Sequence, residues 1–453
     1  MSEKKLRRLP TLIALGFGNF IDQGEAQAMG ALQSSILRFF PLVSSTQFGL
    51  METLRALLQT VSSPFWGYAA DRFSRKKIMI LGTGFWGIWT MAVGLSPSFE
   101  VLFLLRALSG LGLGCLMPAT FSLLADHFSQ QKRGTALGFI GLLGLVGTIA
   151  GVLALGLATE GENWRWGFVG LGFFSVLSGI LIWLLVDEPP RGAAEPELEN
   201  LVSHETEKQH RITFRELLLP LRVPTIWVAI VQGISGSIPW VVMGIYFIRW
   251  LIEDLGYGEG TMLNHPRGSA HVIFATILIG SAISNLLGGI IGDAAEKINP
   301  KYGRTIIGQF SILCGVPLTY ILFTQGQHLS FGQMFALAFF TALMIAWAGH
   351  GAKEPMMQAV VLPQYRSSAF AVVQVIEGGL SAFGGWIAGS LVDSIGIRQA
   401  MLWTVPFPWL ICGLCFSLFY LTYPRDAATA RAQIAAYGEE LKKAQSGMPQ
   451  VSR

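Results

Sequence analysis

Charge is the scarcest commodity in this chain. Only 13% of its 453 residues are Asp, Glu, Lys or Arg, against 52% hydrophobic ones. A soluble domain carries about 25% charged residues, so a water-exposed surface of this size is excluded and most of the surroundings must be lipid. Cysteine is also rare. Cys115, Cys314, Cys412 and Cys415 all fall in apolar runs, which argues for packing rather than a disulfide framework. The Cys412-x-x-Cys415 pair sits in WLICGLCFSLF, without the polar neighbours a metal or redox site requires. No Walker sequence, H-E-x-x-H or G-x-S-x-G is present, which removes ATP-driven pumping and the common hydrolases, and nothing resembles a channel selectivity filter. No enzymatic activity and no cofactor or metal are expected. The start, MSEKKLRRLP, is basic but leads into a segment bearing Asp22 and Glu25 with no small-residue cleavage site, so the first apolar run is expected to be retained.

What is abundant is long apolar runs. About twelve reach the roughly 20 residues that cross a hydrocarbon layer: 11–37, 46–70, 78–96, 99–127, 134–158, 166–186, 224–252, 269–292, 305–324, 331–361, 368–392 and 399–423. They are continuously apolar rather than alternating, which predicts helices and rejects a membrane β-barrel. Lys and Arg collect in alternate loops (Lys4 to Arg8, Arg72 to Lys77, Lys132 and Arg133, Lys297 to Arg304, Arg366), so both termini are expected to be cytoplasmic. The net charge of +4 is the sum of those loops and implies no nucleic-acid partner. The expected location is the plasma or inner membrane, with an organelle membrane as the alternative.

Residues 187–222 form the one long polar interior stretch and read as a cytoplasmic linker between a six-helix half at 1–186 and another at 223–423. ITFRELLLPLR within it fits a short surface helix. The charged, Ala-rich 424–453 reads as a cytoplasmic tail. An internal repeat supports the division: GYAADRFSRKK follows the second span and GIIGDAAEKINPKYGR the eighth, with Asp71 and Asp293 in matching positions.

Gly67-x-x-x-Asp71-Arg72-x-Ser74-Arg75-Lys76-Lys77 resembles the signature loop of the major facilitator superfamily, with Ser74 where a glycine is usual. Arg106-x-x-x-Gly110-x-Gly112 is similar to the motif that places an arginine in the N-terminal half of that superfamily. The resemblance implies an all-α membrane protein of two pseudo-symmetric six-helix bundles that works by alternating access, with binding between the halves. It implies a gating role for Gly67, Asp71, Arg72 and Arg75, and for Asp293 and Arg304 in the second copy. At the level of subgroup, QGISGSIPWVVMGIYFIRWLIEDLGYG and RSSAFAVVQVIEGG resemble the seventh and eleventh helices of spinster-like transporters, whose members carry lysolipids and sphingoid lipids. The fourth span departs from that pattern, with Leu113 and Gly114 where a Gly-Glu pair is expected, and this leaves coupling and substrate open.

Charges inside apolar spans are the candidates for chemistry, because each costs a few kcal/mol without a partner. Asp22 and Glu25 are three apart and share a helix face. They are the natural partners of Arg106, either as proton carriers or as a structural ion pair; Arg106 could also snorkel to the nearby interface. Glu52 and Arg55 read as a local pair. Lys353 and Glu354 interrupt the tenth span beside His350 and Pro355, as a broken helix facing a wet cavity or as the helix end. Glu377, near Gln374, is expected to line the cavity or to pair with Lys353. Gln232, Trp240 and Tyr246 are expected on the cavity wall.

The function that follows is proton-coupled movement of a small organic or amphiphilic, lysolipid-like solute by a monomer. An uncoupled facilitator and a solute-sensing receptor are the alternatives.

Overall fold

The computed structural model describes residues 8–115, 119–120, 123–124, 127–128, 130–157, 164–189, 218–257, 269–362 and 366–446. It gives the backbone alone at 67, 70–72, 130–135, 137, 350, 366–368 and 434–446. Every regular element among these residues is helical. The first half contains α1 (Arg8–Ala26), α2 (Ala28–Phe39), α3 (Ser45–Arg72), α4 (Arg75–Met79), a π-helix (Ile80–Phe85), α5 (Trp86–Gly94), α6 (Phe99–Leu113), α7 (Gln130–Leu157) and α8 (Trp164–Leu185). The second contains α9 (Pro224–Glu253), α10 (Ser269–Ile298), α11 (Gly303–Gln325), α12 (Phe331–Ile345), a π-helix (Gly349–Lys353), α13 (Glu354–Ala359), α14 (Arg366–Ile395), α15 (Ile397–Thr404) and α16 (Pro406–Ser446).

Among the described residues, seven segments are long and apolar enough to cross a membrane uninterrupted. The remaining five expected spans are interrupted or charged. The first breaks at Gln27 between α1 and α2, the second carries Glu52 and Arg55, and the third contains the π-helix at Ile80–Phe85. The fourth extends past Leu113 into partly undescribed residues, and the tenth is broken by the π-helix at Gly349–Lys353. Charge and π-bulges in membrane helices mark functional positions, so these interrupted spans point to the working part of the molecule.

Sequence chemistry explains where the helices start. Ser44 caps α3 by accepting from Gln47 N at 3.1 Å while Gln47 Oε1 accepts from Ser44 N at 3.0 Å, and Ser330 with Gln333 repeats this capping box at α12. The twelfth span begins in α15 and continues past Val405 in α16, which runs through Pro424 to Ser446, so the expected tail is the end of a transmembrane helix. Most of the expected linker, and all of ITFREL, lies outside the described residues; the end of that stretch forms a 3-10 turn at Leu219–Arg222.

The two halves meet chiefly along α3 and α14. Asp393 at the C-terminal end of α14 accepts from the backbone N–H of Ser45 (2.9 Å) and of Thr46 (2.8 Å) and from the Thr46 hydroxyl (2.6 Å). It thereby satisfies donors that a helix start leaves free. Further along, Thr53 donates to Ala382 O at 2.8 Å, and Tyr246 OH lies 3.1 Å from both Ser45 O and Gly385 O. His271 Nε2 lies 3.0 Å from Ala31 O. All these contacts lie at the end of the bundle away from the termini. Nearer the termini on the same two helices, Val61 on α3 is 73% exposed and Phe370 on α14 is 44% exposed.

Candidate functional site

Among the described residues, each half holds one charge cluster deep within its spans. In the first, Arg106 on α6 is 1% exposed, and its Nε donates to Glu52 Oε1 on α3 at 2.8 Å. Its Nη1 is 3.7 Å from Glu25 Oε1 on α1. The second oxygen of Glu52 accepts from Arg55 Nε at 2.7 Å, and Arg55 Nη1 donates to Gln59 Oε1 at 3.0 Å. Thr90 on α5 donates to Glu25 Oε1 at 2.8 Å. Four helices thus converge on one charged knot that burial would otherwise make costly.

This arrangement corrects the sequence reading in one respect. Arg106 is held first by Glu52, which bridges two arginines rather than forming a merely local pair with Arg55. Glu25 is the secondary partner. Asp22, one helical turn from Glu25 and partly buried, makes no hydrogen bond or ion pair among the described residues. The signal for Glu52 was present in the sequence: an arginine in an apolar helix needs an acid, and Glu52 is an acid in an apolar stretch two spans away.

In the second half, Lys353 Nζ sits 2.6 Å from both oxygens of Glu377. The pair packs directly on the α9 backbone at Gly233, where a Cβ would collide with the Glu377 carboxyl group and the Lys353 ammonium. Of the two readings of residues 349–355, the broken helix is the one observed. The interruption is a π-helix ending at Lys353, and Glu354 begins α13.

Beside this pair lies a cavity of about 370 Å³, lined by residues that include Gln232, Ser237, Trp240, Asn285, Lys353 and Trp409. Trp240 and Trp409 meet edge to face at 5.6 Å, and Trp409 Nε1 donates to Gly236 O at 3.1 Å. Gln232 Nε2 donates to Cys412 Sγ at 3.0 Å, and its Oε1 has no partner among the described residues. The lining thus combines aromatic rings with amide, hydroxyl and ammonium groups, which suits a ligand with apolar and polar parts.

Gln232 and Trp240, expected on the cavity wall, and Lys353 line this cavity. Tyr246 does not; it is fully buried in the closed interface between the halves. Gln374 is exposed on α14, one turn before Glu377, and is not part of the lining. The side chain of His350 lies outside the described residues. Ser237, Asn285 and Trp409 were missed because their convergence on one cavity is a three-dimensional fact with no local pattern.

The signature loop is partly described. The side chains of Gly67, Asp71 and Arg72 lie outside the described residues. Ser74, the departure from the resemblance, caps α4 by accepting from Lys77 N at 3.2 Å and donates to Glu188 Oε2 at 2.5 Å. Glu188 Oε1 accepts from Arg75 N at 2.6 Å, and Arg75 Nη2 donates to Pro189 O at 2.9 Å, so a hydroxyl at 74 pins this loop to the end of α8. In the second copy, Arg304 binds Asp293 at 2.5 Å and Glu296 at 2.8 Å. Its Nη1 also donates to Gly351 O at 3.0 Å, inside the π-helix that ends at Lys353.

Two helical bundles that close at one end over buried charge and a ligand-sized cavity make a multi-pass membrane transporter. Residues 9–361 match the family model of the Major Facilitator Superfamily, and the chain belongs to that superfamily. It is 26% identical over 369 residues to Protein spinster homolog 1 of Xenopus tropicalis, covering 78% of this chain and 67% of that protein. It is 24% identical over 429 residues to Protein spinster homolog 3 of Homo sapiens, covering 86% and 78%. In fold it is similar to a bacterial homologue of the human lysosomal transporter spinster, solved in an inward-facing, unoccupied conformation, with a TM-score of 0.79 at 20% identity over 94% of this chain and 99% of that one. A D-xylose–proton symporter shares the fold at a TM-score of 0.69 and 14% identity, covering 92% and 98%.

Proposed function

We propose that this protein is a proton-coupled carrier that moves a small amphiphilic solute by alternating access, with coupling in the first half and solute binding in the second. The observation that carries the reading is a charge count. Glu25 and Glu52 lie within 3.7 Å of Arg106, Glu52 also pairs with Arg55, and Asp22 one turn from Glu25 adds a third acid to two guanidiniums. Guanidiniums stay charged in proteins, so one bound proton makes the cluster electrically balanced. Glu52 is occupied by both arginines, and the proton is assigned to Asp22 or Glu25. Losing it leaves a net negative charge that a site away from water disfavours.

The solute sits in the cavity beside Lys353 and Glu377. An apolar part lies against Trp240 and Trp409, and a polar head reaches Gln232, Asn285 and Lys353. A lysolipid-like molecule has that division, which agrees with the spinster-like helices. If the termini are cytoplasmic, as the Lys and Arg distribution supports, the end closed by Asp393 and Tyr246 is the outer one, which fits an inward-facing arrangement. Asp293 and Arg304 then act as a clasp within the second half, linking the end of α10 and the start of α11 to the broken tenth span. Glu354 shares that break but has a supporting rather than a binding role.

The test begins with a thermal-shift screen of the purified protein against metabolites and lysolipids, since a ligand stabilises the state that binds it. Hits are then assayed for flux in proteoliposomes under an imposed pH gradient. Flux that follows the gradient in the unaltered protein, and ignores it in Asp22→Asn or Glu25→Gln while counterflow persists, supports the reading. Gradient dependence unchanged in both variants contradicts it.

A further inference from the structure

The third span carries a feature that the transport reading does not use. Its π-helix at Ile80–Phe85 lies against α8 where Gly84 and Gly179 bring the two backbones together. A cavity of about 510 Å³ opens sideways from this crossing, lined by Lys77, Ile80, Leu81, Gly84, Phe85, Ile88, and the facing Val176, Gly179, Ile180 and Trp183. Apart from Lys77 the lining is apolar.

Its dimensions and polarity match one leaflet of a bilayer. Lys77 and Ile88 are about 16 Å apart along the axis at 1.5 Å per residue, and half of the hydrocarbon core is about 15 Å. Lys77 and Trp183 share the mouth, at the end of the bundle that carries the termini, where Thr11 Oγ1 contacts Leu185 O. Trp183 is 63% exposed, as an aromatic at the headgroup level should be. Lys77 is exposed, and its ammonium has no ion pair among the described residues. The nearby acid Glu188 does not neutralise it, being bound by Ser74 and Arg75.

We propose that this groove is a binding site for one anionic phospholipid of the adjacent leaflet, with an acyl chain lying over Gly84 and Gly179 and the phosphate headgroup at Lys77. A lysine without an ion pair among the described residues at one end, and an apolar groove about one leaflet long, select a negative head on a hydrocarbon tail. A zwitterionic lipid fills the groove equally well but gains less at Lys77. A lysine at a membrane surface is worth about 1 kcal/mol toward an anionic headgroup, which is about 5-fold in occupancy.

The experiment is native mass spectrometry of the full chain exchanged into mixed micelles containing phosphatidylglycerol or phosphatidylcholine, counting retained lipids. The unaltered protein is expected to retain one phosphatidylglycerol with about 5-fold preference. Lys77→Gln abolishes the preference, and Ile180→Trp, which fills the groove without altering charge, abolishes retention of both lipids. Lys76→Gln, one residue away and outside the groove, leaves the preference intact. Equal retention of the two lipids by the unaltered protein overturns the proposal. So does an equal loss in Lys76→Gln and Lys77→Gln, which would mean diffuse surface charge rather than a seat.

Discussion

Arg106 Nε donates to Glu52 Oε1 at 2.8 Å, with both side chains buried. Glu52 belongs to α3, and its neighbour Thr53 donates across the interface to Ala382 O on α14. One helix therefore holds the arginine of the buried cluster and also forms the wall that closes the two halves. A change in the charge of the cluster and a movement of that wall are mechanically adjacent.

Removing the arginine leaves Glu25 and Glu52 buried with too little positive charge. Arg106→Ala is expected to cost about 3–5 kcal/mol. Glu52→Gln keeps an acceptor for one guanidinium and is expected to cost about 1–3 kcal/mol. Thermal unfolding of the purified variants reads the difference. Equal, small losses would mean that the pair does not hold the bundle together.

At Gly233 a methyl group would meet the Glu377 carboxyl group and the Lys353 ammonium. Gly233→Ala is expected to destabilise by about 1–3 kcal/mol through overpacking and to reduce binding of whatever ligand the thermal-shift screen identifies. Trp409→Ala should weaken the same ligand while sparing the ion pair. Unaltered binding in both variants would move the solute site away from this cavity.

Asp393 caps α3 across the halves through Ser45 and Thr46. Asp393→Ala removes a cap worth about 1 kcal/mol, about a 5-fold shift toward opening at that end. Spin labels at Leu42 and Ile395, both exposed on this side, should show a larger population at long distance. An unchanged distance distribution would mean that other contacts set the closure.

The architecture was legible because membrane helices declare themselves by length and hydropathy, and because the Asp71 and Asp293 loops repeat. The Lys353–Glu377 pair was legible as well, since two opposite charges stranded in apolar spans must find each other. Glu52 was misjudged because Arg55, three residues on, offers a complete local explanation. Only the fold reveals that Glu52 has a second oxygen free for Arg106. Tyr246 was misjudged for a different reason: an aromatic with a hydroxyl suits a wet cavity and a hydrogen-bonded interface equally well. The carbonyls it lies against, Ser45 O and Gly385 O, come from distant segments.

The central claim is that protonation at Asp22 or Glu25 governs which end of the bundle is open. Spin labels at Val61 and Phe370, exposed on opposite halves at the termini side, read this by pulsed electron resonance without knowledge of the solute. The distance distribution of the otherwise unaltered protein should redistribute between mildly alkaline and mildly acidic pH. It should stay fixed in the Asp22→Asn, Glu25→Gln double variant. A pH response that survives in the double variant, or no response in the protein that retains both acids, would contradict the account.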